Sequence, residues 1–205
     1  MKLINIFFKN MYLKFRNIAI SGGVAVGKNT LLDNLKPYLK PHGWRFTSGG
    51  RILRDFTKEY IQPLAKLVPD DFHNKLDKRT TDLMEDGKYV IEAWLAGFMT
   101  RERNDTLRVL LMCGNDALRI DRVVNRDRIS INEAKEFIKD REEGNFVEWK
   151  RIYGNYNFFD PKYYHLVIDT YSSGPHETVG IVLDLLGYKN GKDEKSLTKE
   201  KHLVK

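Results

Sequence analysis

The chain has 205 residues, of which 41% are hydrophobic and 31% charged, and its formal net charge is +7. These proportions are typical of a globular protein with its own core, and they exclude a chain that is disordered throughout. The basic balance favours an anionic partner, whether nucleotide, nucleic acid or membrane surface, without choosing among them. The single cysteine, Cys113, excludes an internal disulfide. Because it lies in an apolar run, we expect a buried thiol in a reducing, cytoplasmic compartment.

Both ends of the chain are predicted to lie outside the main domain, residues 16–187. Residues 1–15 are rich in apolar side chains, but lysines and asparagines interrupt them, so no run reaches the roughly 18 residues of a spanning helix. We expect an extension packed on the surface, or a start at Met11, with an amphipathic membrane contact as the remaining alternative. Residues 188–205 hold six lysines against three acidic residues, which predicts a basic, loosely ordered tail.

Strands and helices are predicted to alternate along the main domain. Apolar strands are expected at residues 16–21, 44–47, 89–94, 107–113 and 165–169. Helices are expected at residues 28–35, 51–62, 70–86, 116–126, 131–153 and 176–186. Ser130 and Glu133 form a capping box at the start of the fifth helix. Buried strands separated by helices indicate an α/β fold with a five-stranded parallel sheet between two helical layers. Ligands of such sheets bind beyond the carboxyl ends of the strands.

A glycine-rich segment follows the first predicted strand. Residues 22–30 read Gly-Gly-Val-Ala-Val-Gly-Lys-Asn-Thr and have the G-x-x-x-x-G-K spacing of a phosphate-binding loop, or P-loop. Glycines let backbone N–H groups curl round a phosphate, the next helix presents its positive N-terminus, and the lysine adds a full charge. We therefore predict an ATP site formed by Gly22, Gly23, Val24, Ala25, Val26, Gly27, Lys28, Asn29 and Thr30.

The hydroxyl that usually follows the lysine stands one place later in this chain. Asn29 occupies the usual Ser/Thr position, and Thr30 follows it. The segment resembles the Gly-Lys-Gly-Thr of many nucleoside monophosphate kinases, with Asn29 replacing glycine. By that resemblance Thr30 is the candidate ligand for Mg²⁺.

Residues 48–54 follow the second predicted strand and read Ser-Gly-Gly-Arg-Ile-Leu-Arg. They resemble the Ser-Thr-Gly-Asp-x-Leu-Arg of adenylate kinases and the Gly-x-x-x-Arg of cytidylate kinases, in which the arginine binds the acceptor phosphate. The resemblance gives that role to Arg54, with Arg51 as a second candidate and Ser48 and Gly50 beside them. A guanidinium suits the role because its planar fork grips two phosphate oxygens. The alternative is an exposed helical arginine.

Residues 90–97 resemble the third strand of archaeal-type cytidylate kinases, where Glu-Gly-Arg-Leu-Ala-Gly stands in place of Glu-Ala-Trp-Leu-Ala-Gly. The resemblance implies that Glu92 faces the phosphate loop and helps to hold Mg²⁺. Trp94 replaces an arginine that would contact the acceptor, so it could stack on a base or simply fill space. Residues 70–87 resemble the acceptor-binding segment of the same family. Arg79 is therefore another acceptor candidate, unless it belongs to a solvated helix face.

Three arginines, Arg119, Arg122 and Arg126, are spaced by three and four residues and share one helical face. Their segment resembles the lid of adenylate kinases, which implies that Arg122 packs over the donor adenine and Arg126 reaches the phosphates. A salt-bridged surface is the alternative. The Arg-Glu-Glu that begins at Arg141 is similar to a cytidylate kinase segment and makes Arg141 the candidate transition-state arginine. Lys28, Arg126, Arg141 and Mg²⁺ would then neutralise the transferring group.

The resemblance to cytidylate kinases extends over about residues 18–186. It implies a P-loop domain with a helical acceptor-binding insertion and a short lid, in which ATP–Mg²⁺ phosphorylates a pyrimidine monophosphate, CMP or dCMP. We expect small nucleotides as the ligands, neither nucleic acid nor membrane as a partner, and a monomer. Two alternatives stay open. One is a kinase of the same fold for another small acceptor, and the other is a non-catalytic nucleotide-binding regulator whose lid has decayed.

Overall fold

Five parallel strands form a single sheet in the computed structural model, which describes residues 13–52 and 70–188. The strand order is β2-β3-β1-β4-β5. The strands are β1 (Asn17–Ser21), β2 (Arg45–Ser48), β3 (Tyr89–Glu92), β4 (Thr106–Met112) and β5 (Leu166–Asp169). The predicted five-stranded parallel sheet is therefore confirmed, with each strand within about two residues of its expected place.

Helices cover both faces of this sheet. They are α1 (Lys28–Leu39), α2 (Asp70–Glu85), a short α3 (Ala96–Met99), α4 (Asp116–Asp127), α5 (Ile131–Tyr153) and α6 (Pro175–Leu186). Single 3-10 turns follow α1 and precede β5. Of the helix predicted at residues 51–62, residues 53–62 lie outside the described part of the chain. Among the described residues, none of the helices has both the length and the apolar character that crossing a membrane requires.

The central strand β1 shows why helices pack on both faces of the sheet. Ile18 and Ile20 of β1 are fully buried and pack with the apolar sides of α1 and α6, whereas Ala19 packs with Ile91 and Met84 on the opposite face. Successive side chains of a strand point to opposite faces, so a continuous apolar run is expected of a strand covered on both sides. The core thus fixes the carboxyl end of β1 and the start of α1, between which the phosphate loop lies.

Several local predictions can be compared with the structure directly. The capping box of α5 is confirmed: the Ser130 hydroxyl accepts from the Glu133 N–H, and Glu133 Oε2 accepts from the Ser130 N–H. Cys113 is half-buried rather than enclosed, because β4 ends at Met112 and the thiol lies at the sheet edge, donating to the Asn115 carbonyl. The prediction of a buried thiol was therefore wrong. At the N-terminus, Leu13 and Phe15 pack on the main core.

Candidate active site

The phosphate loop is curled between β1 and α1. Three of its residues have positive φ angles: Gly22 at 145°, Ala25 at 57° and Gly27 at 93°. A Cβ on Gly22 would collide with the backbone oxygen of Leu111 in the neighbouring strand, so only glycine fits there. Gly27 is the N-cap of α1, and Lys28 begins the helix. The first turn of a well-formed helix therefore faces the loop, as anion binding requires.

A cleft of about 690 Å³ opens beside the loop, a volume within the usual range for small-molecule sites. Part of its wall is the loop itself and the start of α6 with the segment before it. The remaining wall comes from β3 and the residues that follow it, and from α2, α4 and α5. Of the sequence-predicted site residues, the structure brings together along this cleft Val24, Ala25, Val26, Gly27, Lys28, Asn29, Thr30, Ser48, Gly50, Glu92, Trp94, Arg122, Arg126 and Arg141.

Lys28 and Glu92 form a charge pair in the middle of the cleft. The Lys28 ammonium lies 3.8 Å from Glu92 Oε1, and each side chain is only 11% exposed. Lys28 also donates to the Gly23 carbonyl at 2.6 Å. Burial lowers the pKa of Lys28, which Glu92 opposes, and burial raises the pKa of Glu92, which Lys28 opposes. Each charge is therefore kept in place largely by the other.

Trp94 and two arginines complete the charged part of the cleft. The Trp94 ring lies 5.4 Å from the Lys28 ammonium and 5.8 Å from the Arg141 guanidinium. The buried Nε of Arg141 has no hydrogen-bond partner in the described part of the chain. Burial and the charge of Arg126 lower the pKa of Arg141. A cation that lacks one of its hydrogen-bond partners and lies beside other cations is suited to bind an anion.

Arg126 and Arg122 already have partners in the protein. Arg126 forms a two-pronged contact with Asp127, from Nε to Oδ1 at 2.7 Å and from Nη2 to Oδ2 at 2.5 Å. Arg122 donates to the Ala25 carbonyl of the loop at 2.9 Å and to both the hydroxyl and the carbonyl of Thr170, just after β5. Arg122 thus joins the phosphate loop to the segment before α6, on the donor side of the cleft.

Two acceptor candidates lie elsewhere. Arg51 and Arg79 line a separate cavity with Arg45 and Tyr89, and not the cleft. Positions two apart on a helix are separated by about 200°, so Arg79 points away when Asp77 faces the cleft. Arg54 lies outside the described residues. An acceptor-binding role for these three arginines stays a prediction.

Sequence reasoning missed one polar wall of the cleft. It consists of His73, Asp77 and Thr80 from α2 and Asn145, Trp149 and Tyr153 from α5. On α5, Arg141, Asn145, Trp149 and Tyr153 repeat every four residues, which places them along one helical stripe. That spacing was visible in the sequence, but polar and aromatic residues at helical spacing do not by themselves indicate a cleft.

The donor atoms present fit a magnesium ion bound together with a nucleotide. Thr30 and Glu92 both line the cleft and offer the oxygen ligands that Mg²⁺ prefers. Within the described residues there is no cluster of three or more acidic, His or Cys side chains of the kind that could form a metal cage. A nucleotide-bound Mg²⁺ needs no such cage, because phosphates and waters supply most of its ligands.

The curled loop, the buried lysine and the arginine-lined cleft define a P-loop phosphate-binding enzyme fold. A model of the cytidylate kinase-like family matches residues 42–172. The chain is 34% identical to the cytidylate kinase of Thermococcus sibiricus over 171 residues, covering 80% of this chain and 84% of that one. It is 30% identical to the cytidylate kinase of Pyrococcus horikoshii over 195 residues, covering 88% and 96%. The chain belongs to the cytidylate kinase-like family and is a phosphotransferase.

Solved structures of similar fold include other P-loop kinases. Shikimate kinase from Acinetobacter baumannii, in complex with shikimate, matches with a TM-score of 0.57 at 14% identity, covering 85% of this chain and 94% of that one. A gluconokinase from Sinorhizobium meliloti matches with a TM-score of 0.54 at 13% identity, covering 93% and 99%. These similarities support the fold alone.

Proposed function

We propose that this chain transfers the terminal phosphoryl group of ATP to a pyrimidine nucleoside monophosphate, CMP or dCMP. One observation carries the proposal: Lys28, Arg126 and Arg141 line a single cleft that also contains the phosphate loop and a wall of aromatic and polar side chains. We expect such a cleft to bind a triphosphate and an aromatic acceptor at the same time. The family membership supports the same reaction.

The donor is held by the loop. Its backbone N–H groups and the N-terminus of α1 bind the phosphates, and Lys28 reaches the outer ones. Arg122, which is hydrogen-bonded to Thr170, would contact the adenine. When Mg²⁺ is bound it would be held by Thr30 and Glu92 together with the phosphates, and it would neutralise developing negative charge.

The transfer needs little covalent help from the protein. An oxygen of the acceptor phosphate attacks the terminal phosphorus of ATP, the bond from that phosphorus to the bridging oxygen breaks, and ADP leaves. No strong general base is needed, because the second pKa of a phosphate monoester is about 6. Lys28, Arg126 and Arg141 would surround the transferring group and stabilise its charge. Arg141, with its incompletely satisfied Nε, would gain most from the arriving anion.

A P-loop kinase for another small acceptor is the second candidate. It is favoured by Trp94, which contributes an aromatic ring to the cleft where the family motif has a cation. The wild-type enzyme should therefore be assayed with ATP and Mg²⁺ against CMP, dCMP, UMP, AMP, GMP and a set of small hydroxyl compounds. We expect turnover of CMP or dCMP. Turnover of a non-nucleotide acceptor alone would favour the second candidate, and ATP binding without any turnover would contradict both.

The Trp94→Arg variant should change the acceptor preference. The new guanidinium would lie close to Lys28 and Arg141, and it would repel both of them in the enzyme without bound nucleotide. It would also attract the phosphate of the acceptor. We expect the relative kcat/KM values for the monophosphates to change by about fivefold or more, the usual scale of one added charge-assisted hydrogen bond. Trp94→Phe, which keeps an aromatic ring, is the control. An unchanged profile in Trp94→Arg would assign Trp94 a purely structural role.

We further propose that the enzyme acts as a cytoplasmic monomer on free nucleotides rather than on nucleic acid. Sedimentation analysis with and without ATP would test the oligomeric state.

A further inference from the structure

A carboxylate and a phenol meet where α2 and α5 form the wall of the cleft. The Tyr153 hydroxyl donates to Asp77 Oδ2 at 2.7 Å. Burial raises the pKa of Asp77, while the bond from Tyr153 and the nearby His73 oppose that rise. Burial and the Asp77 charge also raise the pKa of Tyr153, so the phenol remains protonated and remains a donor. Asp77 is therefore held in one orientation by Tyr153.

Tyr153 is hydrogen-bonded to one of the two oxygens of the Asp77 carboxylate. Tyr153 occupies Oδ2, and among the described residues no hydrogen bond is made to Oδ1. Asp77 lines the cleft itself. Asp77 is half-buried, and a carboxylate oxygen at the wall of a ligand cavity can accept a hydrogen bond from a bound ligand.

The surrounding side chains indicate the shape of that ligand. Trp94 and Trp149 meet edge to face with their ring centroids 5.3 Å apart, and both line the cleft. Thr80 and Asn145 are buried polar residues on the same wall. Aromatic surfaces beside a few fixed polar groups suit a flat heteroaromatic ring with a polar edge.

We propose that Asp77, oriented by Tyr153, accepts a hydrogen bond from the exocyclic amino group of the acceptor base and thereby selects cytosine over uracil. The inference rests on the proposed function. Cytosine carries an amino donor at the position where uracil carries a keto oxygen. A carboxylate binds the first and repels the second, and a site built around such a bond rejects the analogue that lacks the donor.

The test measures kcat/KM for CMP and for UMP at saturating ATP in the wild type and in Asp77→Asn. An amide presents an N–H to the keto oxygen of uracil, so the CMP-to-UMP ratio should fall by about 30-fold or more, as expected for exchanging a charged hydrogen bond. Asp82→Asn is the matched control, because Asp82 is exposed on the same helix. It should leave the ratio unchanged.

The possible results separate the two claims. If the wild type phosphorylates CMP and Asp77→Asn lowers both kcat/KM values equally, the inference is overturned while the proposed function stands. If the wild type phosphorylates no nucleoside monophosphate, the proposed function fails and the inference with it. If Asp77→Asn does not fold, Tyr153→Phe decides the question. That variant keeps the Asp77 carboxylate but removes the hydroxyl that orients it, so the CMP-to-UMP ratio of kcat/KM should fall by about three- to tenfold. An unchanged ratio would overturn the inference.

Discussion

Replacing Lys28 by methionine should lower kcat/KM for phosphoryl transfer by about 10²- to 10³-fold, the usual effect of removing one preorganised charge at a reacting group. Methionine keeps the length of the side chain and removes the ammonium that lies between the Gly23 carbonyl and Glu92. The loss should appear mainly in kcat, because Lys28 is expected to act on charge that develops during transfer. Steady-state kinetics with ATP and the preferred acceptor would measure it.

The same variant has a predictable effect on stability. Removing Lys28 leaves Glu92 buried without its cation, a cost of about 1–3 kcal/mol at a site as enclosed as this one. Burial already raises the pKa of Glu92 and Lys28 opposes the rise, so without Lys28 the pKa rises further. In the variant, the folded protein is destabilised by the buried Glu92 when its carboxyl group is ionised, and not when it is protonated. The penalty should therefore grow as the pH rises, and thermal unfolding should show a larger loss at about pH 8 than at about pH 5.

Two further variants separate activity from stability. Lys28→Met combined with Glu92→Gln should recover stability without recovering activity, because the amide removes the unpaired charge but restores no cation. Lys36→Met is the matched control, since the Lys36 side chain is 44% exposed on the same helix and, within the described part of the chain, forms its ion pair with the exposed Asp33. Full activity in Lys28→Met would contradict the assigned role of the P-loop lysine.

The sheet and the phosphate loop could be predicted because their signals are local. A buried strand, a glycine loop and a capping box each lie within a few consecutive residues, and each has one physical explanation. Helix α5 begins and ends where its sequence pattern predicts, at Ile131 and Tyr153. The predicted end of β3 was less accurate. The strand ends at Glu92 because the chain then turns into α3, and there the Trp94 carbonyl accepts a hydrogen bond from the Gly22 N–H of the loop.

The polar wall of the cleft could not be predicted because it joins distant parts of the chain. Asp77 and Tyr153 lie 76 positions apart, and no local pattern pairs them. A sequence motif also does not show how a helix is rotated about its axis. The segment that contains Asp77 and Arg79 was recognised, but in α2 the aspartate faces the cleft and the arginine faces another cavity. Side-chain partners of the lid arginines were also missed. Asp116 and Glu142 pair with Arg119, and Asp127 pairs with Arg126.

Glu142 is the most consequential of the missed residues, because it connects α4 and α5, here called the lid helices, to the phosphate loop. Its Oε1 accepts from the Val24 N–H at 3.1 Å and from Nη2 of Arg119. Arg119 Nε in turn donates to the Val24 carbonyl at 3.2 Å. One side chain from α5 and one from α4 thus bind both polar groups of the same loop residue. A Cβ on Gly23 would lie 2.5 Å from Glu142 Oε1, so a larger residue at that position would push this carboxylate aside.

Replacing Glu142 by alanine should therefore misplace the loop and lower kcat/KM by about 10²-fold, the scale of a displacement of roughly 1 Å at a reacting centre. As a positioning residue for the triphosphate, Glu142 should affect the KM for ATP more than the KM for the acceptor. Glu142→Gln keeps an acceptor oxygen for Val24 and should retain much of the activity. Glu143→Ala, at the exposed neighbouring position, should behave as the wild type. Equal changes in both KM values would mean that Glu142 stabilises the fold generally, whereas a selective change in the KM for ATP, rescued by glutamine, would show that the lid helices hold the donor loop through this one carboxylate.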